Sequence, residues 1–189
     1  MAENFVKIKD SEIKEALKDG DILAFFDLFV SHYADVFKDG YTAEAMAKLN
    51  ASQHTIWAYH LLLEELDEEG FVGLIQNGFG GYFFKNPVAK MLKTFGAVKT
   101  SKLLYKAHDI YAANKEDLER DKSDDDFIAS FEEYEEFDPI EEEIIEISEQ
   151  EKKLLAYYID EHIEEFAEKK IKLTSTIKKI KYRYWQIKK

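Results

Sequence analysis

The sequence predicts an all-α protein: a single compact, bundle-like domain of about eight to ten helices over residues 1–168, followed by a basic C-terminal tail over 169–189. Three observations predict it. Apolar residues recur at three- and four-residue spacing in one segment after another. Residues that cap helices stand before those segments, and glycines close several of them. No internal repeat and no Ser/Gly/Pro-rich linker divides the chain.

The elements follow in order. Ser11 is placed to cap a short helix, Glu12 to Lys18, that ends at Gly20. Ile22, Phe25, Phe26, Phe29, Tyr33, Val36 and Phe37 then form the aromatic stripe of an amphipathic helix, stopped by Gly40. Thr42 caps a short helix with Glu44 in its first turn, where a carboxylate suits the dipole. Asn50 or Ser52 caps the next, whose apolar face is Ile56, Tyr59, Leu63 and Leu66. A short helix restarts at Gly70, and Asn77-Gly78 marks a turn into GFGGYFF, a loop or a very short extended piece. Asn86-Pro87 reads as N-cap and first helical residue of a helix that Gly96 closes. Thr100 or Ser101 starts another, with Leu103, Leu104, Ala107, Ile110 and Tyr111 inward. Ser123 with Asp126 resembles a capping box. Pro139 breaks the pattern, a short helical piece follows, and Ser148 with Glu151 opens the last helix, with Leu154, Leu155, Tyr158 and Ile159 toward the core. The tail fits both strand and helix spacing, and helix is favoured.

Five of the eight glycines (Gly70, Gly73, Gly78, Gly80, Gly81) fall within twelve residues, among Phe71, Phe79, Tyr82, Phe83 and Phe84. Glycines so grouped imply positive φ or close backbone approach. Gly70 and Gly73, three apart, predict a smooth spot for a neighbouring helix.

The chain has no cysteine, which excludes disulfides, thiolate nucleophiles and cysteine-ligated metals. No apolar run nears the roughly eighteen residues of a membrane span, and the N-terminus lacks a signal-peptide core, so a cytoplasmic protein is expected. Net charge is −13 and unevenly spread. Residues 116–168 hold 23 Asp and Glu against 4 Lys and Arg, whereas 169–189 hold nine Lys and Arg and no acid. An acidic face and a basic tail can attract each other or serve different partners.

Glu65 and Leu66, then Gly70 and Phe71, then Leu74, Ile75 and Asn77 match in order and spacing a motif of the bacterial DNA-mimic-protein family, a helical domain of unknown function. LNASQ, NPVAKMLKTFGA and DDDFIASFEEYEEFD also resemble that family, so the resemblance runs from Leu49 to Phe166. Glu69 stands where the family's first glycine is usual, and Gly73 where glutamine is usual. The resemblance implies an all-α fold, a motif that determines the fold, no catalytic residues, and an acidic surface that occupies the DNA-binding face of a transcription factor. Candidates for that surface here are Asp124, Asp125, Glu132, Glu133, Glu135, Glu136, Glu141, Glu142 and Glu143. Acidic helical faces are also commonly just solvated.

Other constellations carry less. Asp121, Ser123, Asp125, Ile128 and Glu132 fall at calcium-loop positions, but Asp126 occupies the position that needs glycine, so an acidic helix start is the better reading. His162 and Glu165 form a helical pair able to ligate metal, but no second pair completes a site, and no metal or cofactor is expected. Tyr182, Tyr184 and Trp185 among the tail lysines suit a nucleic acid or membrane surface, though a docked terminal helix accounts for them better.

The reading that results is a non-enzymatic acidic binding protein for a basic protein, by resemblance a DNA-binding one. It calls for no direct nucleic acid and no membrane, and it allows a homodimer. The alternatives are a small-ligand binder or enzyme with a pocket near Gly70–Phe84, using Glu65, Asn77, Tyr82 and Asn86, and an interaction or immunity-type module without DNA mimicry.

Overall fold

The structure, a computed structural model, describes residues 6–167. Its regular structure is helical throughout: ten α-helices, two short 3-10 segments, and one isolated bridge between Ile8 and Ala167. The all-α class predicted above is observed. The basic tail, 169–189, lies outside the described residues.

The described residues pack as two compact units, 6–57 with 150–167, and 58–149. The first holds α1 (Asp10–Ala16), α2 (Ile22–Phe37), α3 (Ala43–Met46), the start of α4 (Ala51–Glu68) and the end of α10 (Asp138–Glu161). Asp21 opens α2 by accepting from Leu23 N (2.9 Å) and Ala24 N (3.2 Å). The predicted aromatic stripe is the core here: Phe25, Phe26, Phe29 and Tyr33 are fully buried. Phe166 meets Phe29 edge-on at 6.1 Å. Thr42 caps α3 as expected. Asn50, not Ser52, caps α4, its Oδ1 accepting from Gln53 N at 2.9 Å. The Ser52 hydroxyl instead donates to the Glu165 carboxylate. Ser11 does not cap α1. Glu12 reaches back to Lys9 N (3.1 Å), so the helix begins earlier and takes Ser11 inside it.

The second unit holds the rest of α4, α5 (Gly70–Gln76), α6 (Gly80–Phe84), α7 (Val88–Phe95), α8 (Val98–Leu118), α9 (Asp124–Glu133), a 3-10 turn at Glu135–Phe137 and the start of α10. Its core gathers Phe71, Leu74, Leu92, Leu104, Ala107, Phe137 and Ile144. Four expectations are corrected. GFGGYFF is not a loop, because Gly80–Phe84 forms α6 and Gly80 lets it sit against Tyr111 and Ile75. Asn86 does not cap α7; its amide turns back to Gly81 O and Tyr82 O, both at 3.2 Å. Thr100 and Ser101 lie buried inside α8, which starts at Val98. Ser148 does not cap a helix. The pattern does break near Pro139, since α9 ends at Glu133 and Pro139 occupies the first turn of α10, where its missing N–H costs nothing, but that helix runs on through Ser148 to Glu161.

Candidate functional site

The motif residues join three elements of the second unit. Gly70 turns the chain from α4 into α5 at φ +64°. The next backbone group, Phe71 N–H, is an orphan donor of the new helix. It donates to Glu141 Oε1 at 2.6 Å, a bond from the start of α5 to the first turns of α10. A Cβ on Gly70 would lie 2.7 Å from both Glu141 carboxylate oxygens. The expected helix approach at Gly70 and Gly73 is therefore corrected: carboxylate side chains fill the space, Glu141 at Gly70 and Glu69 at Gly73. The Phe71 ring is fully buried against Phe137 (5.2 Å) and Phe84 (6.1 Å). Leu66, Leu74 and Ile75 are buried around it. Asn77 Nδ2 closes the motif by donating to Glu65 Oε2 (3.0 Å) and Glu69 Oε2 (3.3 Å), which clasps the end of α5 to the end of α4. Burial raises the Glu65 carboxyl above its ordinary value, and the Asn77 bond opposes that shift.

A second carboxylate fixes the turn into α9. Asp117 accepts from Arg120 Nε, Lys122 Nζ and Tyr134 Oη, each at 2.7 Å. The Arg120 bond, with those of Lys122 and Tyr134, holds its carboxyl well below the usual carboxylate range. The Lys122 side chain is only 1% exposed. The two cations of this turn are thus folded onto Asp117, and Ser123 Oγ is spent capping α9 through Asp126 N.

Of the nine acidic candidates, eight stand exposed: Asp124, Asp125, Glu132, Glu133, Glu135, Glu136, Glu142 and Glu143. None of the eight makes a salt bridge or side-chain hydrogen bond among the described residues. Glu141 leaves the set. It is half-buried and bonded to Phe71 N, and burial raises its carboxyl. Because α10 is continuous, Asp138, Glu142, Glu146 and Glu149 fall at four-, four- and three-residue intervals on one exposed face. Asp138, Glu146 and Glu149 were not among the sequence candidates. Reading a helix start at Ser148 hides the row, and counting carboxylates at helical spacing through Ser148 finds it.

A concavity of this unit is lined by Phe83, Phe84, Asn86, Lys90, Leu104, Tyr105 and His108 among others. Of the four polar residues expected at a pocket, Asn86 alone lines it; Glu65 and Asn77 bond each other, and Tyr82 packs edge-on against Phe83. In the first unit His162 stacks on Tyr158 at 4.0 Å, and Glu165 accepts from Ser52, so the pair does not converge. No group of three metal-ligating side chains lies together among the described residues.

A family model described as DMP19-like protein matches residues 47–162. The chain belongs to the DMP19-like family. A curated relative, the DNA mimic protein DMP19 of Neisseria meningitidis serogroup B, is 34% identical over 128 residues, which cover 66% of this chain and 76% of that protein. The DMP19-like match takes in the Glu65–Asn77 clasp, the Phe71–Glu141 bond and the acidic row of α10 together. No helix of this DMP19-like chain is long and apolar enough to cross a membrane among the described residues.

Proposed function

We propose that this chain is a non-catalytic DNA mimic that lays an acidic surface on the basic, DNA-reading face of a cytoplasmic DNA-binding protein. The observation that carries the reading is the row on α10. From Asp138 to Glu149 the helix rises about 16 Å. Asp138, Glu142, Glu146 and Glu149 therefore stand on one face at about one charge per 4.5–6 Å, wider than the roughly 3.4 Å per phosphate of one DNA strand, and Glu143 adds a charge beside the row. A helix holds that spacing rigidly, so a basic partner meets it without ordering a flexible chain. The exposed acids of α9 and the 3-10 turn extend the surface, and Glu141 is not part of it. The name of the meningococcal relative supports the same reading. No cofactor is required.

The test is capture of partners from native cytosol by full-length protein, at low and at moderate salt. Recovery of a basic DNA-binding protein, released as salt rises and competed by duplex DNA, is the expected result. The triple variant Glu142→Gln/Glu143→Gln/Glu146→Gln should lose that capture while keeping its circular dichroism and Tm. Equal capture by the variant, or recovery of no basic protein, would overturn the proposal.

A further inference from the structure

The second unit carries two opposite surfaces. Between Lys85 and Lys115 there are seven lysines and one acid, Asp109, in a chain of net charge −13. Lys90, Lys93, Lys102 and Lys106 are exposed and make no ion pair among the described residues. Lys90 and Tyr105 both line the concavity whose floor includes Phe83, Phe84 and Leu104. Lys102 and Lys106 flank Tyr105 along α8, and Tyr105 is 52% exposed. This is a shallow apolar groove with a cationic border.

The outer face of α9 has the converse character. Asp124, Asp125, Ile128, Phe131 and Glu132 fall within about a third of the helix circumference. All five are exposed, Ile128 at 65% and Phe131 at 39%. Two apolar side chains one turn apart, bordered by carboxylates, are what a helix presents when it lies in an apolar groove bordered by cations.

We propose that α9 of one copy docks in the α6–α8 groove of a second copy, Ile128 and Phe131 entering it and Asp124, Asp125 and Glu132 meeting the lysines of α7 and α8. A second copy is the occupant because this one chain supplies both halves, complementary in charge and in apolar anchors. The contact is heterologous, so each copy keeps one free groove and one free α9, and association proceeds head to tail. It buries a single short helix, which places it among weak, reversible interfaces. The overall charge opposes encounter at low ionic strength; near 0.15 M salt, screening beyond about 8 Å leaves mainly the local pairing. The inference goes beyond the mimicry reading and does not rest on it.

The experiment is sedimentation velocity over a concentration series of the full-length protein at about 0.15 M salt. Wild type should self-associate reversibly. Lys102→Glu/Lys106→Glu and Asp124→Lys/Asp125→Lys should each shift the association midpoint at least tenfold upward, as should Ile128→Asp. An equimolar mixture of the two charge-reversed proteins should regain the wild-type midpoint, which a merely misfolded variant cannot do. Wild type that stays monomeric up to millimolar concentration, or self-association that survives both reversals, would overturn the inference. The α10 triple glutamine variant should self-associate like wild type. Loss of partner capture with intact self-association, or the reverse, therefore separates failure of one proposal from failure of the other.

Discussion

Glu69 and Gly73 occupy each other's space: a Cβ added at Gly73 would lie 2.1 Å from the Glu69 Cβ and 2.9 Å from its Oε2. These are the two positions at which the sequence resemblance departs from the family's pattern. The Glu69 side chain fills the volume that a side chain at 73 would need. Gly73→Gln alone should destabilise by about 1–3 kcal/mol, since the obstacle is a Cβ and not the mobile end of a side chain. Glu69→Gly/Gly73→Gln should recover most of that loss. Denaturant melts of the four proteins of this double-mutant cycle would give a coupling energy well above experimental error; strict additivity would show that the two positions are independent.

Gly70 and Gly78 both have positive φ, at +64° and +88°, but their surroundings differ. A Cβ at Gly78 meets nothing within 4 Å, whereas one at Gly70 meets the Glu141 carboxylate at 2.7 Å. Gly78→Ala should cost about 1–2 kcal/mol from backbone conformation alone. Gly70→Ala should cost clearly more, because it also breaks the Phe71–Glu141 bond. Tm values of the two variants measure the difference.

Burial raises the Glu141 carboxyl above its ordinary 4.5, with the Phe71 hydrogen bond opposing the shift and Asp138 adding to it. A carboxyl whose folded value is raised binds its proton more tightly when folded. Its contribution is complete below the unfolded value and is lost as pH rises through the folded one. Glu141→Gln keeps an acceptor for Phe71 N and removes the buried charge. Its Tm should equal or exceed wild type at pH 7, with the difference shrinking below about pH 4.5. Glu141→Ala orphans a buried N–H and should cost about 1–3 kcal/mol at any pH.

Asp117 has the opposite sign. Its bonds to Arg120, Lys122 and Tyr134 lower its carboxyl, so its contribution is present above the ordinary value of 3.8 and lost only as pH falls through the depressed one. Asp117→Asn leaves the buried Lys122 ammonium without its counter-charge and should cost at least about 2 kcal/mol, a buried-pair penalty discounted for the partial exposure of Asp117. Lys122→Met, which removes the cation and keeps the apolar stem, should cost less. Urea melts at pH 7 would rank them, and the Asp117→Asn deficit should narrow in strong acid.

The sequence was legible where the information is local. The aromatic stripe of α2 follows from three- and four-residue spacing, and Thr42 and Ser123 act as caps because a cap bonds N–H groups two or three residues away. The candidate surface was half legible: its charge can be counted, but the continuity of α10 cannot, because Ser148 with Glu151 has the spacing of a capping box and yet lies inside the helix. Glu141, Glu142 and Glu143 are chemically identical neighbours, yet one is spent inside the fold and two face water.

What the chain determined by itself was its class, its core-forming faces, most of its helices and a heavily acidic later half. Tertiary structure alone decided which carboxylates remain free. Glu141 is claimed by a backbone N–H seventy residues earlier in the chain. Lys122 is drawn inward by Asp117 and lies over the Tyr134 ring, so its charge is spent inside the turn, whereas Arg120 reaches out to Asp126 of α9 at 3.6 Å. Periodicity orients a side chain relative to its own helix axis; burial and pairing depend on which distant atoms arrive beside it, and that depends on packing.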